Sequence, residues 1–275
     1  MRNNDTLIPK TQLRKNVSAF FFISALCFSS WTSRISFIQE SLSLNDGQFG
    51  LLLFCLPFGV LLSLPISSNL VKRYGSRRIL IFGTIALTAT LLMLSTSNNV
   101  YLTGLCLVLF GFSNNATNLS ANLQAVETER IFGKSIMGSF HGIWSVSALF
   151  GSLFGSFCMS LHLPVYFQFL SIVAVVITVL IISHKYLIYD DETNTSAHAF
   201  VFKFGDKNVL ILGIIALCSM MGEGSMYDWS EIYLKRTVES NHFLSSIGYS
   251  MFMFSMMTGR FVSDFQLEKL ALLIQ

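Results

Sequence analysis

Apolar residues in this 275-residue chain gather into long runs separated by short polar turns, a pattern that predicts eight helices. The runs are Val17 to Ser36, Phe49 to Val71, Ile79 to Leu94, Val100 to Leu123, Ile136 to Met159, Val165 to Ile182, Val209 to Trp229 and Phe243 to Val262. A hydrocarbon core of about 30 Å takes roughly 20 helical residues, so the runs are long enough to cross one. None alternates apolar with polar residues as a lipid-facing barrel strand does, which leaves bundled helices to satisfy the backbone in lipid. The expected fold class is all-α, a polytopic membrane helix bundle.

Composition points the same way. The chain is 52% hydrophobic and 12% charged, against about 25% charged in an ordinary soluble domain. The first run follows Arg14 and Lys15, carries Trp31 and Arg34 near its end and lacks a small-residue cleavage site, so it reads as a retained helix. Cys27, Cys55, Cys106, Cys158 and Cys218 lie singly in five different runs without metal-ligand spacing and read as packing residues. Two of the four N-x-S/T matches, at Asn16, Asn115, Asn118 and Asn194, fall inside a span, and all four are discounted as glycosylation sites. No nucleophile, metal cluster or phosphate-cradling loop argues for an enzyme, and no cofactor or metal is expected.

Charge then orients the chain. Arg2, Lys10, Arg14 and Lys15 precede the first run; Lys72, Arg73, Arg77 and Arg78 follow the second; Arg130 and Lys134 follow the fourth; Lys185, Lys203 and Lys207 follow the sixth. Arg260 and Lys269 close that side, whereas the other has only Arg34, Lys235 and Arg236. The positive-inside rule places the N-terminus in the cytoplasm. The net charge of +3 therefore reports topology and gives no reason to invoke nucleic acid.

The longest polar interruption, residues 183 to 208, separates six helices from two. The expected organisation is a six-helix bundle at 1–183, a cytoplasmic linker at 184–207 and a partial second bundle at 208–275. Run seven echoes run one: Trp31 and Trp229 are 198 residues apart, as are Gly50 and Gly248. Parallel six-helix repeats of this kind are a transporter plan.

Between runs two and three stands SSNLVKRYGSRR, residues 67 to 78, a helix end with a glycine turn and a basic cluster. This loop resembles the signature of the major facilitator superfamily in Arg73, Gly75, Arg77 and Arg78. It departs at Ser68, where the family has Gly, and at Lys72, where it has Asp, so the family's interhelical charge latch is not expected here. Run five, GSFHGIWSVSALFGSLFGSF, holds Gly138 with Gly142 and Gly151 with Gly155 at a spacing that lets helix backbones approach closely. Gly142, Gly151 and Gly155 also match the opening of the family's antiporter motif, but Ser156 replaces its Pro, so packing is the favoured role. With WTSRISFIQESLSLNDGQFG, NLQAVETERIFGKSIMGSFHG, GEGSMYDWSEIYL and GRFVSD, the chain resembles a bacterial branch of that superfamily, containing rhizopine-associated and unassigned inner-membrane proteins. The resemblance implies twelve helices, about four more than the runs account for, and a solute cavity lined by helices one, four and seven.

Ionisable residues within spans are costly and mark a site by default. Glu223 lies roughly 21 Å into run seven, and Asp228 lies near its outer end. Glu223 stands between Gly222 and Gly224, which permit close approach or local unwinding. A carboxylate kept from water holds a proton more tightly, which makes Glu223 the candidate proton carrier or solute ligand. In run four, Asn114, Asn118 and Asn122 step by four residues along one helix face, with Asn115 beside them. Amides suit hydroxyl-rich solutes because each offers donors and an acceptor; interhelical hydrogen bonding is the alternative use. Trp31, Arg34 and Trp229 complete the candidate pathway. Arg34 is expected either to pair with Asp228 or Glu231 when the outer gate closes, or to snorkel to the interface. His141 is a candidate proton relay or a packing histidine.

The expectation is a multi-pass inner-membrane secondary transporter whose partners are a small polar solute, protons and the bilayer. Uptake of a sugar-like or polyol-like solute competes with export of a small metabolite or drug, and with a truncated, non-transporting protein.

Overall fold

A computed structural model describes residues 9–189, 207–240, 244, 248 and 250–262, excluding the side chains of Asn208, Tyr227, Asp228 and Glu231. The described residues are helical between short turns and include no strand. The helices are α1 (Lys10–Thr32), α2 (Ile35–Ser41), α3 (Asp46–Tyr74), α4 (Ser76–Leu94), α5 (Val100–Phe132), α6 (Met137–Ser160), α7 (Val165–Ser183) and α8 (Lys207–Arg236). A helical stretch at 250–262 is designated α9. Seven described segments are long and apolar enough to cross a membrane, and the eighth predicted run, Phe243 to Val262, falls partly outside the described residues. Connections of one to five residues up to α7 make successive spanning helices alternate in direction. The end carrying Lys72 to Arg78 is called the basic end, and the opposite end the far end.

Three elements depart from the predicted runs. The first run breaks at Ser33 and Arg34 and resumes as α2. Within SSWTS, the hydroxyls of Ser29 and Ser30 donate to the Leu26 carbonyl, that of Thr32 to Ser29 and that of Ser33 to Ser30. Such back-bonding competes with the helical ladder. α5 continues nine residues past Leu123 and is roughly 50 Å long, so apolarity marks where lipid ends and not where the helix ends. Gly133, at φ +71°, supplies the left-handed residue that terminates it. α8 likewise runs on to Arg236.

Local signals start the others. Asn45 and Gln48 form a reciprocal capping box on α3, and Asn99 caps α5. α6 has no cap of its own; Glu129 from α5 accepts from the Ile136 and Met137 N–H groups at 2.8 Å each. Gly75, at φ +82°, alone joins α3 to α4.

Packing relies on small residues. A Cβ on Gly59 would lie 2.0 Å from the Val108 carbonyl oxygen, and one on Gly111 2.1 Å from that of Leu56, so α3 and α5 touch backbone to backbone at two reciprocal points. α1 meets α6 through Ser29 against Gly151 and Ser33 against Gly155, while Ser147 donates to the Phe22 carbonyl at 2.6 Å. Gly142 faces the Phe261 ring of α9, and Gly138 lies one turn earlier in α6. A cluster including Phe20, Phe21, Trp31, Phe49, Phe110, Phe140 and Phe169 fills the interior.

The stretch expected to begin the linker is docked at its start. Leu187 is fully buried, and Gln124 of α5 clasps Ile188 in both directions; residues 190–206 lie outside the described residues. α8 is exposed from Val209 to Gly222 and makes its contacts from Glu223 onward.

Replacing Gly111 by Val places a side chain where a backbone oxygen stands and is expected to cost about 3 kcal/mol or more. In detergent thermal unfolding the variant should melt well below wild type. Gly213→Ala, where a Cβ meets nothing within 4 Å, should leave the midpoint within a few degrees.

Candidate functional site

The charge that sequence placed deep in run seven has a partner that the sequence assigned elsewhere. Glu223 Oε1 accepts from Arg260 Nη2 at 3.2 Å, with the Arg260 and Glu223 side chains 23% and 14% exposed. Arg260, counted in the sequence as a charge closing the basic end, instead lies against α6. Its Nη1 donates to Ser145 Oγ at 2.8 Å and to the His141 carbonyl at 3.4 Å, and its guanidinium stands 5.6 Å from the centre of the Trp144 ring. Loop charges and span charges look alike in a count of Lys and Arg. The signal available was Arg260's position inside the apolar run FMFSMMTGRFV, near the length of helix that carries Glu223.

The asparagines divide between two faces. Asn118 Nδ2 donates to Asn114 Oδ1 at 3.3 Å, Asn122 Nδ2 to the Asn118 carbonyl at 2.8 Å, and Ser24 Oγ of α1 to Asn118 Oδ1 at 3.4 Å. These three form a half-buried amide ladder toward α1. Asn115 turns instead to α3, donating to Ser63 Oγ at 3.2 Å beside the buried Ser63–Ser67 pair. It is interhelical glue, because a 100° step per residue carries it off the face of Asn114.

Ser24 and Phe28 lie four residues apart on one face of α1. Ser24 reaches the amide ladder; Phe28 meets Trp144 at 6.2 Å, and Trp144 backs Arg260. One wall of α1 and α6 thus connects the amides to the ion pair. His141 packs edge-on against Phe21 at 5.4 Å and is close enough for the charges of Arg260 and Glu223 to act on it.

Two expected pathway residues are placed differently. Trp31 is wholly enclosed in the apolar cluster and offers no surface to a solute in this conformation. Arg34 does not snorkel: at 2% exposure it donates from Nε to Gln168 Oε1 at 2.5 Å and from Nη2 to the Leu163 carbonyl at 3.1 Å. It joins the α1–α2 break to α7 and the turn before it. The side chains of Asp228 and Glu231, its expected partners, lie outside the described residues. Trp229, matched to Trp31 in the repeat, is 39% exposed and packs edge-on against Phe49 at 6.5 Å.

At the far end α8 is joined to α2 and α3 by contacts that sequence did not pair. Lys235 bonds Glu40 of α2, and Arg236 bonds Asp46 of α3, which also accepts from Gln39 at 3.0 Å. Beneath them Ile232 is buried. At the basic end, Gln124 Nε2 donates to Ser76 Oγ at 2.7 Å and the Ile188 carbonyl at 3.1 Å. Arg77 donates to the His184 carbonyl at 3.0 Å and lies 3.6 Å over the Tyr189 ring. Neutral and cation–ring contacts thus tie α4, α5 and the end of α7 together where the loop lacks an acid. Lys72, Arg73 and Arg78 stay exposed, with Arg73 5.2 Å over the Tyr74 ring.

Comparison with known proteins follows the same lines. The family model described as Major Facilitator Superfamily matches residues 17–273. An uncharacterized transporter of Sinorhizobium fredii, y4wD, is 29% identical over 253 residues, covering 91% of this chain and 66% of the relative. Membrane protein MosC of Rhizobium meliloti is 27% identical over 261 residues, covering 93% and 62%. The chain therefore spans just under two thirds of the length of these relatives. Among solved structures, nucleoside transporter NupG superposes with a TM-score of 0.66 at 13% identity, over 95% of this chain and 67% of that one, which shows a shared fold.

Exposed ion pairs are individually weak, so the far-end contacts should be tunable. With a cysteine at buried Ser36 as reporter, Lys235→Glu should raise its labelling by a membrane-impermeant thiol reagent about fivefold. Adding Glu40→Lys should bring the rate back toward wild type. An unchanged rate in the single variant would show that this pair does not hold the end closed.

Proposed function

Because the chain belongs to the Major Facilitator Superfamily, we propose that it is a secondary active transporter that moves a small polar solute by alternating access, coupled to protons. The observation carrying this reading is the Glu223–Arg260 pair, set within spanning helices and bridging α8 and α9 to α6. Intramembrane charges are retained where they serve a pathway, because each is costly in lipid. In this reading Glu223 carries the proton or holds the solute, and Asn114, Asn118 and Asn122 bind solute hydroxyls. Asp228 and Trp229 belong to the upper pathway, and His141 is a candidate relay beside the pair. Gly138, Gly142, Gly151 and Gly155 let the helices pack.

The basic end faces the cytoplasm, with the N-terminus there, and the membrane is the bacterial inner membrane. That orientation follows from the excess of Lys and Arg around Lys72 to Arg78 and Arg130 to Lys134. The far end, joined by Glu40–Lys235 and Asp46–Arg236, is then the closed outer gate of an inward-facing state. Residues 1–183 act as one rocking unit and 208–275 belong to the other, with 184–207 between them.

Vesicles reconstituted with the chain and loaded with a pH-sensitive dye test the reading. A panel of sugars, polyols and sugar acids added outside should include at least one that drives proton entry. Glu223→Gln should abolish that proton signal while leaving solute-for-solute exchange measurable. Proton entry unaffected by Glu223→Gln would remove Glu223 as the carrier, and no flux or exchange with any solute would overturn the transport reading.

A further inference from the structure

Between the far-end halves of α3 and α5 lies an apolar groove of about 510 Å³. Leu51, Cys55 and Phe58 of α3 line it together with Tyr101, Gly104 and Leu105 of α5. Its origin is local. The two helices touch at Gly59 and Gly111, but Pro57, two residues nearer the far end, lacks the N–H that would bond the Leu53 carbonyl, which lets α3 bend there. Gly104 sets no side chain between the helices; a Cβ there would stand 3.4 Å from Cys55 Sγ and 3.6 Å from Leu52 Cδ1. Clefts of about 300–1,000 Å³ with apolar walls and few polar groups are the usual form of small-molecule sites.

Helical rotation fixes what the groove faces. Nine residues make about two and a half turns, which ends on the opposite face. Leu105 is nine residues before Asn114, and Phe58 is nine after Phe49. The groove is therefore turned away from the amide ladder on α5 and away from the side of α3 where Phe49 meets Trp229 of α8. In a spanning bundle that direction is lipid, and Leu51 and Tyr101 at its edge are 72% and 87% exposed. The depth is that of one leaflet. The start of α5 lies roughly 12 Å from Val108 and the start of α3 roughly 18 Å from Phe58, against roughly 15 Å for half a hydrocarbon core. The mouth is polar: Gln48 accepts from the Asn45 N–H through Oε1 at 3.2 Å, which leaves its Nε2 to donate. Tyr101 beside it is a residue type that settles at headgroup level.

From its direction, depth and chemistry we infer that this groove holds one acyl chain of a phospholipid from the far-end leaflet, retained as part of the folded protein, with ester or phosphate oxygens meeting Gln48 and Tyr101. The chain fills the wedge between α3 and α5 that Gly104 leaves open. It does so at the end of α3 whose Asp46 is paired with Arg236 of α8. Such a lipid is held whatever solute the chain moves.

The test is native mass spectrometry of the full chain, reconstituted in vesicles of phosphatidylethanolamine and phosphatidylglycerol and extracted into a mild detergent. The monomer should carry one tightly held phospholipid. Gly104→Leu fills the floor of the groove and should lower the lipid-bound fraction about tenfold. Gly213→Leu adds the same side chain on the exposed stretch of α8, where a Cβ meets nothing within 4 Å, and should leave that fraction unchanged. Leu51→Ala with Leu105→Ala strips the walls without crowding either helix; it should lower the fraction similarly, and it decides the matter if Gly104→Leu does not fold. A phospholipid with a photoactivatable group on its acyl chain should crosslink within residues 51–58 or 100–108. Retention unchanged in a folded groove variant, crosslinks elsewhere, bound detergent in place of phospholipid, or a dimer covering this face would each overturn the inference.

Discussion

Nothing presses helices together inside a bilayer, because lipid tails are as apolar as leucine; association depends on close approach and on internal hydrogen bonds. The bundle is arranged around that constraint. α3 and α5 come into backbone contact at Gly59 and Gly111, and α1 sets the side chains of Ser29 and Ser33 against Gly151 and Gly155 of α6. Were the helices farther apart, Ser24 would not reach Asn118 and Ser147 would not reach the Phe22 carbonyl. The polar wall of the site is a by-product of how tightly the small residues allow α1 to sit between α5 and α6.

Three arginines show how the same side chain is accommodated in different ways. Arg34 is enclosed and satisfied by Gln168 and the Leu163 carbonyl, which makes it a brace at the break between α1 and α2. Arg77 lies over Tyr189 and bonds the His184 carbonyl, fastening the end of α7 to the start of α4. Arg260 is fixed to α6 on one arm and to Glu223 on the other. In the third a guanidinium meets a carboxylate, the arrangement in which a change of charge on one partner alters what the other can bind. The two pairs at the far end, Glu40–Lys235 and Asp46–Arg236, are exposed and join α8 to α2 and α3. Each is individually weak, since water can take over each partner.

Much of this was readable in order along the chain. Apolar runs long enough to cross lipid mark the helices, and Gly75 marks a turn where the backbone takes a positive φ. The stepping of Asn114, Asn118 and Asn122 placed them on one face because helical periodicity is a local property. Glu223 stood out because a carboxylate among apolar neighbours is conspicuous whatever it touches. Asn115 was read with its neighbours and went to α3 instead, since one residue of rotation cannot be assigned to a partner helix without knowing where that helix lies.

What the sequence determined by itself, then, is what depends on neighbours within a turn or two: the all-α spanning class, the glycine turn of the basic loop and the oddity of a charge in lipid. Pairing was decided only in three dimensions. Arg260 is 37 residues from Glu223, and Lys235 is 195 from Glu40. Charge counts could place these residues on a side of the membrane but could not choose between partners. Trp31 and Trp229, equivalent by spacing, ended in opposite surroundings, one sealed in the core and one 39% exposed. Burial is set by what packs across from a residue, and that is a property of the assembled bundle.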